Sequence, residues 1–229
     1  MSIVKKKIAL IWILIATSFS AQADILKDFD SLGGNDVLVE RAQLLQPEKS
    51  VSVVQNRVVD RRIRHEFSVG YSNYLGGDAY LETQSVDLAY NFHINPYVSV
   101  GLGYFSNSSE FSKEGRYTID VDGLIPDVEA IDSGYEIAVY GYPMYGKINL
   151  LNMGVVHFDF YGVASYGKMT LATSESNHYS VGGGIGLWIS QHITSRIELR
   201  QRYFTAQKRI SGATSMDQTV LSVSIGYLL

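Results

Sequence analysis

The sequence predicts an all-β fold, an eight-stranded antiparallel up-and-down transmembrane β-barrel behind a short N-terminal helical and linker segment. Three observations predict it. From Arg64 onward apolar residues recur with period two in segments of about ten residues, the pattern of a membrane barrel. The links between segments alternate short and long, as turns and loops do at the two ends of such a barrel. In the stretch "RIELRQRYF", Arg196, Glu198, Arg200 and Arg202 share one face, and Ile197, Leu199, Gln201 and Tyr203 share the other.

The elements follow in order. "MSIVKKKIALIWILIATSFSAQA" has a basic head at Lys5, Lys6 and Lys7, an apolar run from Ile8 to Ala16, and an A-x-A site at Ala21–Ala23. That reads as a secretory signal peptide over residues 1–23, too short for a spanning helix. Removing 23 of the 229 residues leaves 206 and moves the formal charge from −4 to −7, because three lysines leave. So acidic a chain is not built for nucleic acid, which needs clustered Lys and Arg. The sequence has no cysteine, so packing and backbone pairing alone must hold the fold. Residues 24–62 read as a periplasmic helix, with Val37, Leu38, Ala42, Leu44 and Leu45 at helical spacing, stopped by Pro47 and followed by a linker. Residues 63–229 form the barrel.

Segment one sets Phe67, Val69 and Tyr71 against Glu66, Ser68 and Gly70; segment two sets Val86, Leu88, Tyr90, Phe92 and Ile94 against Asp87, Ala89, Asn91 and His93. In segment three Val98, Val100, Leu102 and Tyr104 oppose Ser99, Gly101 and Gly103. Segment four sets Ile137 and Val139 against Glu136 and Ala138, and Pro143 predicts a bend or bulge. Segment five sets Val156, Phe158 and Phe160 against His157, Asp159 and Tyr161; segment six sets Ile185, Leu187 and Ile189 against Gly182, Gly184 and Gly186. "RIELRQRYF" is segment seven, and Leu221, Val223, Ile225 and Tyr227 mark the eighth. Long links are expected at "NYLGGDAYLETQ", 106–134, "KMTLATSESN" and "TAQKRISGATSMDQ".

A soluble ligand-binding barrel shows the same alternation turned inside out. Two features favour the membrane version. The polar face is rich in Gly and Ser, which suits a crowded lumen. Aromatics gather near strand ends (Tyr71, Tyr74, Tyr97, Tyr104, Tyr135, Tyr145, Trp188, Tyr203), where interfacial girdles belong. An Arg facing lipid at mid-bilayer costs roughly 2–4 kcal/mol, so the arginines of segment seven must face the lumen. There they meet Glu66, Asp87, Glu136, Asp159 and Glu198, with His157, and a paired polar network is expected. With Arg196, Arg200, Arg202, Tyr161 and Trp188 inside, a wide pore is not expected.

The segments "FDSLGGN", "SVVQNRVVDRR", "PMYGK", "HFDFYG" and "RIELRQRY" resemble the small outer-membrane β-barrel family of the myxobacterial type, from about Phe29 to the end. The resemblance implies location and architecture and brings no activity with it. Partners on this reading are outer-membrane lipids, lipopolysaccharide and the barrel-assembly machinery.

Chemistry is sparse. His178 and Ser180, near Glu175 in "ESNHYS", share a face at the outer end of segment six, a weak candidate for a lipid hydrolase. A polar extracellular loop is the plainer reading, and the chain is expected not to be an enzyme. The acidic stretch 106–134 (Glu110, Glu114, Asp120, Asp122, Asp127, Glu129, Asp132) fits no calcium-loop template and reads as a solvated face. The five histidines lie far apart, so no metal site and no cofactor is expected. The expected role is structural or interactive, exercised through the extracellular loops. A narrow channel for small solutes is the alternative, and a lipid hydrolase the third reading.

Overall fold

The period-two alternation becomes eight strands closed into one barrel in sequence order in the computed structural model, which describes residues 59–149 and 155–229. The strands are β1 (Arg64–Tyr74), β2 (Leu81–Asn95), β3 (Val98–Phe111), β4 (Ile131–Asn149), β5 (Val155–Leu171), β6 (Glu175–Trp188), β7 (Ile193–Lys208) and β8 (Gly212–Leu228). A short helix, α1 (Lys113–Asp120), lies between β3 and β4. Neighbours are antiparallel throughout, and β8 closes on β1 from Leu228 opposite Glu66 to Val220 opposite Tyr74. Closure leaves no sheet edge, so the wall satisfies its own backbone hydrogen bonds. The expected signal peptide and the helix of the N-terminal segment lie outside the described residues.

The alternation sorts side chains by polarity without a break around the wall. Val69, Leu88, Leu102, Ile137, Phe160, Val181, Ile197 and Val223, one from each strand, all face outward and exposed; Leu88 is 54% and Ile137 58% exposed. Soluble monomers do not expose apolar surface on that scale. Toward the loop end the band is bordered by Tyr71, Tyr104, Tyr135, Tyr166, Tyr179 and Tyr203. Tyr104 pairs with Tyr135, and Tyr179 pairs with both Tyr166 and Tyr203, stacking on the latter at 5.0 Å. Beyond this border the outward residues turn polar: Gln84, Ser108, Asn177, Thr205 and Asp217. Three members of the expected girdle belong elsewhere. Tyr74, Tyr145 and Trp188 turn into the lumen, Tyr74 and Trp188 in phase with the inward rows of their strands and Tyr145 opposite Asp159 with its hydroxyl bonded to His157.

The strands also run further than the apolar pattern suggests. β5 ends at Leu171 and β6 begins at Glu175, so "KMTLATSESN" is mostly strand. β7 and β8 likewise leave only 209–211 between them, and β1 and β2 leave 75–80. Polar residues at outward positions above the apolar band alternate just as well, yet carry no hydrophobic signal. Only 112–130 remains a long connection, and its first part is helical. Ser112 caps α1, its hydroxyl accepting from Gly115 N at 3.2 Å and donating to Ala79 O at 2.7 Å. A side chain at Gly115 would meet Tyr80 O at 2.6 Å, so glycine lets α1 sit directly on the β1–β2 loop.

At the other end the turns are tight. Asn95 Oδ1 accepts from Tyr97 N (2.8 Å) and Val98 N (2.9 Å), which fixes the reversal around Pro96. Ser190 Oγ does the same for His192 N and Ile193 N before β7. The β4–β5 register shifts between Gly141 and Met144, so the irregularity expected at Pro143 is there.

Candidate functional site

Among the described residues most of the buried charge lies in the lumen, and it is organised in layers. At the turn end, Val59, Trp188 and Leu228 form an apolar cluster. Arg61, only 1% exposed, comes in from the chain ahead of β1. It donates to Pro96 O at 2.8 Å, pairs with Asp159 Oδ2 at 3.1 Å, and lies over the Tyr142 ring at 4.1 Å. Trp188 Nε1 donates to the same Asp159 oxygen at 2.5 Å. Ile63, with φ +54°, turns the backbone back from this insertion into β1. Sequence reading assigned 59–62 to a linker, because two side chains reaching into a barrel leave no periodic trace.

Above this floor sits Glu66, with no exposed surface. It accepts from Arg196 Nη2 at 2.5 Å and Thr194 Oγ1 at 2.9 Å, and is hydrogen-bonded to His93 Nε2 at 2.7 Å. Next come Tyr140, Tyr142 and Tyr161 with Ala138 and Val163. Their rings are 5.6 to 6.4 Å apart, and Arg196 and Arg200 lie over Tyr161 and Tyr140. Room for Tyr161 depends on Gly184, where a Cβ would meet Tyr161 OH at 2.6 Å and Ile197 O at 2.4 Å.

The third layer centres on Glu136. It pairs with Arg200 Nη1 at 2.5 Å, accepts from Ser165 Oγ at 2.9 Å, and is bonded to His178 Nε2 at 3.1 Å. Arg202 Nη2 is 4.0 Å from it, and Arg202 lies over Phe105 and donates to Tyr74 OH at 2.8 Å. Arg200 Nε also donates to Glu198. Asp87 differs. Its bonds come from hydroxyls, Ser85 at 2.8 Å and Ser72, and Ser72 in turn bonds Ser222 at 2.8 Å. Above this, Phe105, Ile131, Met169, Leu171, Phe204 and Ala206 close the loop end with an apolar cap.

Glu66, Asp87, Glu136, His157, Asp159, Arg196, Glu198, Arg200 and Arg202 are therefore all on the inward face. His157 is hydrogen-bonded through Nδ1 to Tyr145 OH. The weak catalytic pair moves. His178 and Ser180, each 1% exposed, lie inside the lumen and not in an outer loop, because β6 already begins at Glu175. Ser180 Oγ is 2.6 Å from Ser165 Oγ, and the carboxylate beside His178 is Glu136, whereas Glu175 pairs with Lys168 at 2.5 Å. His93 and Ser165 joined the buried polar set without having been singled out; only their inward phase could have marked them.

The acidic connection is also put to use. Asp127 accepts from Ser211 N (2.8 Å), Ser211 Oγ (2.9 Å) and Ile210 N (3.1 Å), and Glu129 accepts from Thr173 N at 2.9 Å. These carboxylates tie 112–130 to the two hairpin tips beside it. Among the described residues no cluster of three or more His, Cys, Asp or Glu could hold a metal ion.

No family model matches the chain, and neither does any curated protein sequence, so the myxobacterial-type resemblance rests on the quoted segments alone. Among solved structures the chain is similar to the outer membrane protein OprG of Pseudomonas aeruginosa, at 13% identity and a TM-score of 0.44, over 74% of this chain and 97% of that one. It is similar to the N-terminal β-barrel domain of OprF from the same organism at 9% identity and a TM-score of 0.40, over 73% and 98%. Similarity to Ail, the attachment invasion locus protein of Yersinia pestis, is 11% with a TM-score of 0.38, over 73% and 99%.

Proposed function

We propose that this protein is an integral outer-membrane barrel with a closed, side-chain-filled lumen, acting structurally or through partners met at its loop end. The observation that carries the reading is the inversion of polarity. An unbroken apolar band faces outward while arginines and carboxylates pair inside. Hydrocarbon accepts the first arrangement and forbids its reverse, since each lipid-facing Arg costs roughly 2–4 kcal/mol at mid-bilayer. The closed lumen favours a structural or interactive role over a conducting one: Arg61, Trp188 and Leu228 fill one end, and Phe105, Met169, Leu171 and Phe204 fill the other.

On this reading residues 1–23 direct export, residues 24–62 lie on the periplasmic side, and α1 with the rest of 112–130 faces outward. Outer-membrane lipid and lipopolysaccharide surround the band, and the barrel-assembly machinery inserts it. Planar-bilayer recording of the refolded mature chain tests the closed lumen. No steady single-channel current is expected, and a stable open conductance overturns it. Monodisperse behaviour in buffer without detergent would overturn the membrane assignment itself.

A further inference from the structure

We propose that the groove between α1 and the β1–β2 loop is a binding site for a phosphocholine group. Ala79 and Tyr80 line it from the loop and Lys113, Glu114, Tyr117 and Thr118 from the helix, and it offers about 590 Å³. Ligand sites usually measure roughly 300–1,000 Å³. Its walls are pinned together at the base. Ser112 N donates to Tyr80 O at 2.9 Å, Ser112 Oγ donates to Ala79 O at 2.7 Å, and Gly115 lets the helix lie against Tyr80 O. Phe111, where β3 ends, is seven residues past the border tyrosine Tyr104, about 23 Å of strand. The groove therefore stands clear of the apolar band, and on the proposed orientation it opens to the outside.

The lining selects the ligand. Lys113 and Tyr117 are four residues apart, as are Glu114 and Thr118, so both rows share the helix face toward Tyr80. Two tyrosine rings beside a carboxylate make a seat for a quaternary ammonium, which aromatic faces attract without a hydrogen bond. The Lys113 ammonium meets a phosphate. Lys113 and Glu114 are consecutive, so one small ligand with its two charges a few atoms apart reaches both. The Thr118 hydroxyl is already spent on Glu114 O at 2.9 Å. Among the described residues the side chains of Tyr80, Lys113, Glu114 and Tyr117 form no hydrogen bond or ion pair, and Tyr117 is 60% exposed.

The two charges lining the groove cancel, which matches a zwitterion. Neighbouring ions leave that balance alone, because Arg116 pairs with Glu110 at 3.5 Å and Asp78 with Lys208 at 2.7 Å. A free phosphate would be repelled by Glu114, and choline alone by Lys113. A neutral sugar would give neither charge a counterpart. Phosphocholine meets all four side chains, whether it arrives on a lipid surface or as a soluble or glycan-borne group.

The test titrates the refolded mature chain in polyoxyethylene micelles, which carry neither choline nor sugar. The probes are phosphocholine, choline, inorganic phosphate and maltose, and the readout is NMR at the groove residues. Phosphocholine in the millimolar range should give saturable shifts at Tyr80, Lys113, Glu114 and Tyr117. Tyr117→Ala should weaken it about tenfold. Lys113→Met should weaken phosphocholine and spare choline, whereas Glu114→Gln should weaken both. All three side chains are exposed, so the barrel should fold in each variant, and gel migration with and without heating checks this. In a second arm, the protein in phosphatidylglycerol nanodiscs is mixed with phosphatidylcholine vesicles. Capture that free phosphocholine reverses assigns the lipid-borne group; binding of soluble phosphocholine without capture assigns the soluble or glycan-borne one. No saturable shift at these residues, an unchanged affinity in Tyr117→Ala, or phosphate or maltose binding as tightly as phosphocholine would each overturn the proposal. The titration does not involve the lumen, so its failure would leave the closed barrel standing.

Discussion

Removing the Arg196 guanidinium strands a carboxylate at the least accessible point of the barrel, and that is the most exacting perturbation the lumen offers. Glu66 has no exposed surface and receives three side-chain partners: Arg196 at 2.5 Å, Thr194 at 2.9 Å and His93 at 2.7 Å. In Arg196→Met the stem is kept and the charge lost, leaving Glu66 with a hydroxyl and an imidazole. Breaking a buried pair from one side typically costs about 3–5 kcal/mol, because the surviving charge cannot reach water. Replacing both partners is far milder, so Glu66→Gln with Arg196→Met should recover about 1–3 kcal/mol relative to the sum of the single losses. Urea unfolding in micelles, followed by fluorescence, gives the cycle directly. Trp188 is the sole tryptophan after residue 23, so the signal comes from the neighbouring layer. An Arg196→Met loss under about 0.5 kcal/mol, or strictly additive variants, would refute the claim that this pair balances a buried charge.

Two further outcomes follow from the ends of the barrel. Arg61→Ala should cost about 3 kcal/mol by leaving Asp159 without its guanidinium, and should shift Trp188 emission, since Arg61 lies 5.5 Å from that ring. An unchanged spectrum and midpoint would place Arg61 outside the lumen in solution. At the loop end, desolvation raises the Asp127 pKa, but N–H donation from Ser211 and Ile210 outweighs it and holds the carboxyl below the ordinary aspartate value. A group lowered on folding stabilises above its unfolded pKa, and that contribution is lost as pH falls through the folded one. The tie from 112–130 to the β7–β8 tip should therefore hold at neutral pH and release below about pH 4. Amide exchange at Ser211 and Ile210 reads this, and Asp127→Asn should erase the acid step.

Strand number, order and facing were legible because a wall between lipid and a polar lumen imposes period two on every strand at once. Arg196, Glu198, Arg200 and Arg202 could be placed inward from their phase alone. Strand ends were not legible where the outward face turns polar, as from Lys168 to Asn177, because Met169 and Leu171 there point inward to the apolar cap and reverse the polarity that marks the band. Residues contributed from outside the strands were equally silent: Arg61 reaches Asp159 across 98 positions of sequence, and no local pattern announces it.

What the sequence by itself determined is which side of the wall the apolar band and the charged row of β7 face, since that depends only on polarity and on the alternating geometry of a strand. Which charge meets which was decided by the tertiary structure. Register across β4, β5, β6 and β7 brings Glu136, Ser165, His178 and Arg200 to one level, and register is a property of neighbouring strands. The same register left Asp87 among serines, away from the arginines that its inward phase alone would have assigned to it.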